Sequence, residues 1–187
     1  IFLTKKQTER IKQKSIERGH RGRQMGADMN RRKKEDTIAS LKQNALMEIQ
    51  SVSERELFLS GLCLYWAEGS KKSKLGFSNS DPEMILCMYQ WFQKCFHIKK
   101  EDFMPRVFIN GSHQDRIDDI LNFWSNLLEL PIVQFGNPII LRHAQKKYYA
   151  DREGYHGVLS LGVRKSTHLK YRIIELIKVF SSRVLLG

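Results

Sequence analysis

The eleven residues from Leu57 to Ala67 carry no charge. In a chain with 28% charged residues, such a stretch has to lie inside a fold. Its borders make it a helix. Ser53 with Glu56 three residues on forms a capping box, in which hydroxyl and carboxylate each satisfy an orphan backbone donor. A helix of this kind is expected to be buried on nearly every side. Ser60, Cys63 and Ala67 fall at i, i+3 and i+7, a strip of small side chains that lets a second backbone come close. The run ends at Glu68, and Gly69 acts as a helix stop. Lys71, Lys72 and Lys74 come straight after. Burying a carboxylate at a helix end costs on the order of several kcal/mol unless a cation offsets it. A lysine of the cluster or a divalent metal would serve.

Charge narrows the partner. The 32 Lys and Arg against 20 Asp and Glu leave +12 over 187 residues, and the sequence pI is about 9.7. That balance favours a polyanion, above all nucleic acid. No apolar run approaches the roughly 20 residues of a membrane span, and no secretory leader is seen. Three cysteines, Cys63, Cys87 and Cys95, lack any C-x-x-C spacing, so they read as small core residues of a reducing cytosol. The chain opens on Ile1, which is expected of a piece of something longer.

Residues 1–50 form a basic helical extension, with thirteen Lys and Arg against six Asp and Glu. Thr4 starts one polar helix, ending at Gly19, and a second runs from about Met29 to Gln50. The glycine-containing basic link between them reads equally as a phosphate-contacting arm or a solvated linker. Residues 51–187 form the domain proper. After the Glu68 helix come a short strand at Lys74–Asn79, a helix begun by the Ser80–Glu83 box with Pro82 in its first turn, and a strand at Pro105–Asn110. A helix from about His113 to Glu129 is next. Then come a strand or broken pair over Pro131–Leu141, a basic and aromatic loop (142–157), a strand at Val158–Val163 and a last helix capped by Ser166. The class is α+β.

Leu62-Cys63-Leu64-Tyr65-Trp66-Ala67-Glu68-Gly69-Ser70 resembles the core motif of the LAGLIDADG homing-endonuclease superfamily. Ala67, Glu68, Gly69 and Ser70 match its ending, with Glu for the usual Asp. Cys63 stands for its first Gly and Trp66 for its inner Asp. With FSNSDPEM and YHGVLSLGVRKS downstream, the chain is similar to a bacterial and phage LAGLIDADG-like group that carries an upstream helix-turn-helix. Residues 1–50 resemble the segment that joins that helix-turn-helix to the domain.

The resemblance implies a curved antiparallel sheet packed by helices, and a homodimer formed through the Ser53–Glu68 helix with Ser60, Cys63 and Ala67 at the crossing. Double-stranded DNA is the implied partner, held by Lys74, Arg106, Arg142, Lys146, Lys147, Arg164 and Lys165 and read by Asn79, Asn110, Gln134 and Asn137. The implied cofactor is Mg²⁺ or another divalent cation, bound by Glu68 and the Gly69 carbonyl, with Lys71 or Lys72 stabilising charge at the phosphate. Tyr155 and His156 form a secondary candidate pair. The expected function is site-specific, metal-dependent DNA cleavage in a cytoplasmic, nucleoid-associated setting. The alternatives are a transcriptional regulator that binds DNA without cutting, and an RNA-binding role like that of the family's maturases.

Overall fold

The computed structural model describes residues 3–71, 74–141 and 152–186. The chain divides into two compact units, Ile1–Val52 and Ser53–Gly187.

The first unit is one helix, α1 (Lys5–Glu48), of 44 residues, none of them buried. Thr4 and Gln7 form the capping box at its start. The expected break at the glycine-rich link does not occur. Each interior glycine costs only about 1 kcal/mol relative to alanine, and no proline interrupts the Lys-, Arg-, Gln- and Glu-rich segments on either side. Helix propagation over those segments carries the chain through.

The second unit holds the core. Its elements are α2 (Glu54–Glu68), β1 (Gly76–Asn79), α3 (Pro82–Phe96), β2 (Phe103–Asn110), α4 (Ile117–Leu128), β3 (Gly136–Leu141), β4 (Val158–Val163) and α5 (Thr167–Leu186). The four strands form one sheet in the order β1-β4-β2-β3. β4 pairs antiparallel with both β1 and β2, whereas β3 lies parallel to β2. The sheet is therefore mixed, not antiparallel throughout. The β2-to-β3 connection runs through a 3-10 segment (Gly111–Arg116), α4 and a further 3-10 turn (Ile132–Gln134), a crossover of the kind that parallel neighbours require.

Alternation along the strands separates two faces. Phe77, Phe103, Val107, Ile109, Leu159, Leu161 and Val163 are buried against the helices. α3 brings Ile85, Met88, Trp91 and Phe92 to that core, α4 brings Ile120, Trp124 and Leu128, and α5 brings Ile173 and Ile177. Trp91 donates its Nε1–H to the Phe58 carbonyl at 3.0 Å, tying α3 to α2. The two helices touch where Gly61 leaves room for the Trp91 ring.

Several boundaries differ from those expected of the sequence. α2 is buried on one face only, through Gly61, Leu62 and Tyr65, because the single sheet-and-helix layer reaches it from one side. The cap of α3 is Asp81, not Ser80: its carboxylate accepts from the Glu83 and Met84 amides at 2.9 and 3.3 Å. β2 starts two residues early, at Phe103, since β4 offers ladder partners back to Val163. Ile132 to Gln134 form the 3-10 turn instead of the start of a strand. The Gln134 amide there donates to the Lys100 and Phe103 carbonyls at 2.7 and 2.8 Å. Cys63 and Cys87 are exposed and Cys95 is half-buried, all three as free thiols rather than core residues. Among the described residues, no helix is long and apolar enough to cross a membrane.

Candidate nucleic-acid interface

The face of the sheet turned away from the helices is not covered by the core. The register sets one row across it. Ser78 lies opposite Ser160, Ser160 opposite Arg106, and Arg106 opposite Gly136. The Ser78 hydroxyl donates to Ser160 Oγ at 2.9 Å. Gly136 leaves the space that the Arg106 guanidinium occupies, since a Cβ there would stand 2.8 Å from Arg106 Nε. A groove of about 660 Å³ runs over this face, lined by Lys74, Arg106 and Arg164 together with Met104, Phe108, Val133 and Ser160. None of its lining residues is an acid, and among the described residues none of the three cations has a carboxylate partner. Three uncompensated positive charges around an open groove of mixed polar and apolar lining produce a local field that attracts a polyanion. Val133 is 94% exposed at the rim.

The candidate carboxylate sits at the edge of the same sheet. The last turn of α2 is stitched to β1: Gly69 forms a bridge with Phe77, and the Ser70 amide donates to the Gly76 carbonyl at 2.9 Å. β1 is the outer strand, so the end of α2 borders the sheet. Gly69 has ordinary extended torsions. What demands glycine there is space, because a Cβ would stand 2.4 Å from the Tyr65 carbonyl oxygen and 2.6 Å from its ring. The Tyr65 hydroxyl donates to the Ser70 carbonyl at 2.6 Å, and burial pushes its pKa up to about 12. It therefore stays protonated at neutral pH and acts as a strut, not a base.

Glu68 is exposed. It adds a full negative charge at the end of a helix whose carbonyls already present a partial one, and no basic residue lies in that last turn to balance it. Being exposed, the carboxylate is solvated, not buried as expected at the end of an uncharged run, and the desolvation cost that would demand a cation does not arise. Among the described residues no three His, Cys, Asp or Glu side chains cluster. Mg²⁺ needs no such cage: it keeps several waters and takes one or two carboxylates plus phosphate oxygens. Glu68 could supply one carboxylate to such an ion.

The other expected site residues fall into distinct groups. Ser60, Cys63 and Ala67 are exposed on α2, beside Trp66. Lys71 is exposed, and so is Lys165, which has a left-handed backbone at φ 46° in the turn after β4. Lys72, Arg142, Lys146 and Lys147 lie outside the described residues. Of the four amides expected to read bases, three are engaged in hydrogen bonds within the fold. Asn79 Oδ1 accepts from the Asp81 amide at 2.9 Å and its Nδ2 meets the Met84 sulfur. Asn110 Oδ1 caps the adjoining 3-10 segment through the Ser112 amide and hydroxyl. Gln134 is held by the Lys100 and Phe103 carbonyls. Asn137 is exposed.

Tyr155 and His156 are also structural. The Tyr155 ring stacks on buried His113 at 4.0 Å between centroids, and its oxygen accepts from the Asn110 amide at 3.0 Å. The His156 ring stacks on Phe123 at 3.5 Å, and its carbonyl accepts from Trp124 Nε1 at 2.7 Å. Arg152 grips Asp115 at 2.7 Å, and Arg116 bonds the Arg152 and Glu153 carbonyls. Sequence reasoning missed His113, Gly61, Gly136 and Ser160. For the glycines no local signal existed, because the ring or guanidinium each accommodates comes from another element. Compared with family models, curated proteins and solved structures, the chain finds no match.

Proposed function

We propose that the chain binds double-stranded DNA on the open face of its sheet, as a homodimer of the LAGLIDADG homing-endonuclease type, and cuts it with a divalent metal at Glu68. The groove over Arg106, Lys74 and Arg164 carries the reading. Guanidinium and ammonium groups there neutralise phosphates, and release of the displaced counterions drives binding. Ser78 and Ser160 offer hydroxyls on the same row, and the exposed Asn137 amide offers a donor and an acceptor for base edges. The exposed strip of Ser60, Cys63 and Ala67 supports pairing through α2, which would bring two Glu68 carboxylates to one axis.

Mg²⁺ held by Glu68 and the Gly69 carbonyl would polarise the scissile phosphate and lower the pKa of an attacking water. The chain's own contribution is to orient. Arg106 and Arg164 hold the backbone in register, and Lys71 adds positive charge near the carboxylate for the charge that grows on the phosphate.

The test is plasmid nicking with and without Mg²⁺. Wild type is expected to nick, Glu68→Gln to bind equally well without nicking, and Ser60→Arg to lose both dimer and cleavage while staying folded, since Ser60 is exposed. Binding by wild type without nicking at any divalent concentration would replace the nuclease reading by that of a regulator. Failure to bind duplex DNA at low salt would refute the proposal as a whole.

A further inference from the structure

The long helix α1 has a charge pattern that binding at the sheet face does not use. From Lys5 to Lys34 it holds twelve Lys and Arg against three Asp and Glu, with no residue buried. At about 100° per residue, Arg10, Lys14, Arg18 and Arg21 fall on one flank. Lys5, Lys12 and Arg23 fall on the opposite one. Among the described residues, none of these seven has a carboxylate partner. Glu9 and Lys6 lie on one of the two edges between the flanks, and Glu17 borders the first flank beside Arg10. The other edge carries Thr8, Ile11, Ser15, Gly19 and Gly22 and no charge. The helix gives these glycines no internal reason to be there: a Cβ at Gly22 would meet nothing within 4 Å, and one at Gly19 only the tip of Arg23 at 3.8 Å.

We infer that the Lys5–Arg23 part of α1 lies in the major groove of duplex DNA, uncharged edge inward and closest at Ser15, Gly19 and Gly22, with one cationic flank on each phosphate backbone. The inference rests on the proposal that DNA is the partner, and adds a second, independent contact. Opposed flanks are what separates this partner from others. An acidic protein surface or a flat phosphate array asks for cations on one side. A groove about 12 Å wide, entered by a helix about 10–12 Å across, puts phosphates on both sides. The major groove of an RNA duplex is too deep and narrow for such entry. A membrane-surface helix would need one apolar face, whereas Ile11 and Ile16 point about 140° apart on the same geometry. Glu9, on the outer edge, stays away from the phosphates.

The experiment uses the full chain and fluorescence anisotropy on a duplex of arbitrary sequence across a salt series. The variant Arg10→Gln/Lys14→Gln/Arg18→Gln/Arg21→Gln should lower the slope of log affinity against log salt by about 3–4, roughly one for each phosphate no longer neutralised. It should weaken all sequences alike, because phosphate contacts carry no sequence information. Glu9→Gln/Glu17→Gln should leave the slope unchanged. Gly22→Leu should raise helicity at 222 nm yet weaken binding about tenfold, the equivalent of one good contact. An unchanged slope in the four-residue variant overturns the inference, and so does unaltered affinity in Gly22→Leu, or preference for an RNA duplex over DNA. Arg106→Ala/Arg164→Ala separates the two contacts. If only these sheet changes alter binding, the groove assignment of α1 is wrong. If only the α1 changes do, binding at the sheet face is wrong and the α1 assignment stands. A wild-type chain that binds no duplex sinks both.

Discussion

Alanine is a better helix former than glycine, yet Gly61→Ala should destabilise the domain. The substitution gains about 1 kcal/mol of helix propensity. Against that, the new Cβ would stand 2.1 Å from Trp91 Cδ1 and 2.3 Å from its Cγ. The ring cannot swing aside. It is fully buried, with Phe96 at 4.7 Å and Phe92 at 5.3 Å between centroids. Overpacking at such a position costs about 1–3 kcal/mol. Moving the indole also strains its 3.0 Å bond to the Phe58 carbonyl, worth about 1 kcal/mol. The net expectation is about 1–3 kcal/mol of destabilisation, or about 2–4 °C in melting temperature per kcal/mol for a chain of this size. Urea unfolding monitored by tryptophan fluorescence measures it as a lower midpoint at unchanged slope. Gly26→Ala in α1 is the internal control. Nothing lies within 4 Å of that Cβ, so helicity should rise by the full propensity term. A Gly61→Ala midpoint at or above wild type would refute the close-crossing argument.

Asp81→Ala should cost about 1 kcal/mol through loss of the α3 cap, and Ser80→Ala close to nothing, both read as urea midpoints. His113 sets a pH dependence. Burial, then the neighbouring Arg152 and Arg116, hold its pKa below the ordinary histidine value, with Asp115 opposing. Its folded pKa is depressed, so the unfolded chain takes up the proton first. Stability is full above the ordinary value near 6.5 and falls as the pH drops through the folded pKa. His113→Phe keeps an aromatic ring against Tyr155 and removes the proton site, so its midpoint should vary less between neutral and mildly acidic pH. Equal pH dependence in the two proteins would remove His113 as the cause.

How far the site was legible depends on how local each signal was. The start and end of α2 are set by Ser53, Glu56 and Gly69, residues within one turn of the ends they control. Asn79 and Asn110 were legible as caps too, since each precedes a turn in which an Asx side chain accepts from an amide two residues on. The strand setting drew attention to base reading instead. Gln134 had no local signal. Its carbonyl partners, Lys100 and Phe103, lie some thirty residues away. The glycines of α1 misled because a breaker counted singly outweighs the propensity of forty residues only when the fold demands a turn there.

Composition and pattern alone determined that the chain is α+β, strongly cationic, and holds a helix with an uncharged run from Leu57 to Ala67 that ends in one carboxylate. Those properties belong to residues and their near neighbours. Which face of α2 is covered, that β3 lies parallel to β2, and that Arg106, Lys74 and Arg164 share one groove were decided only by the tertiary structure. Each depends on contacts between distant segments, and a one-residue change of register in β2 would turn Arg106 to the opposite face.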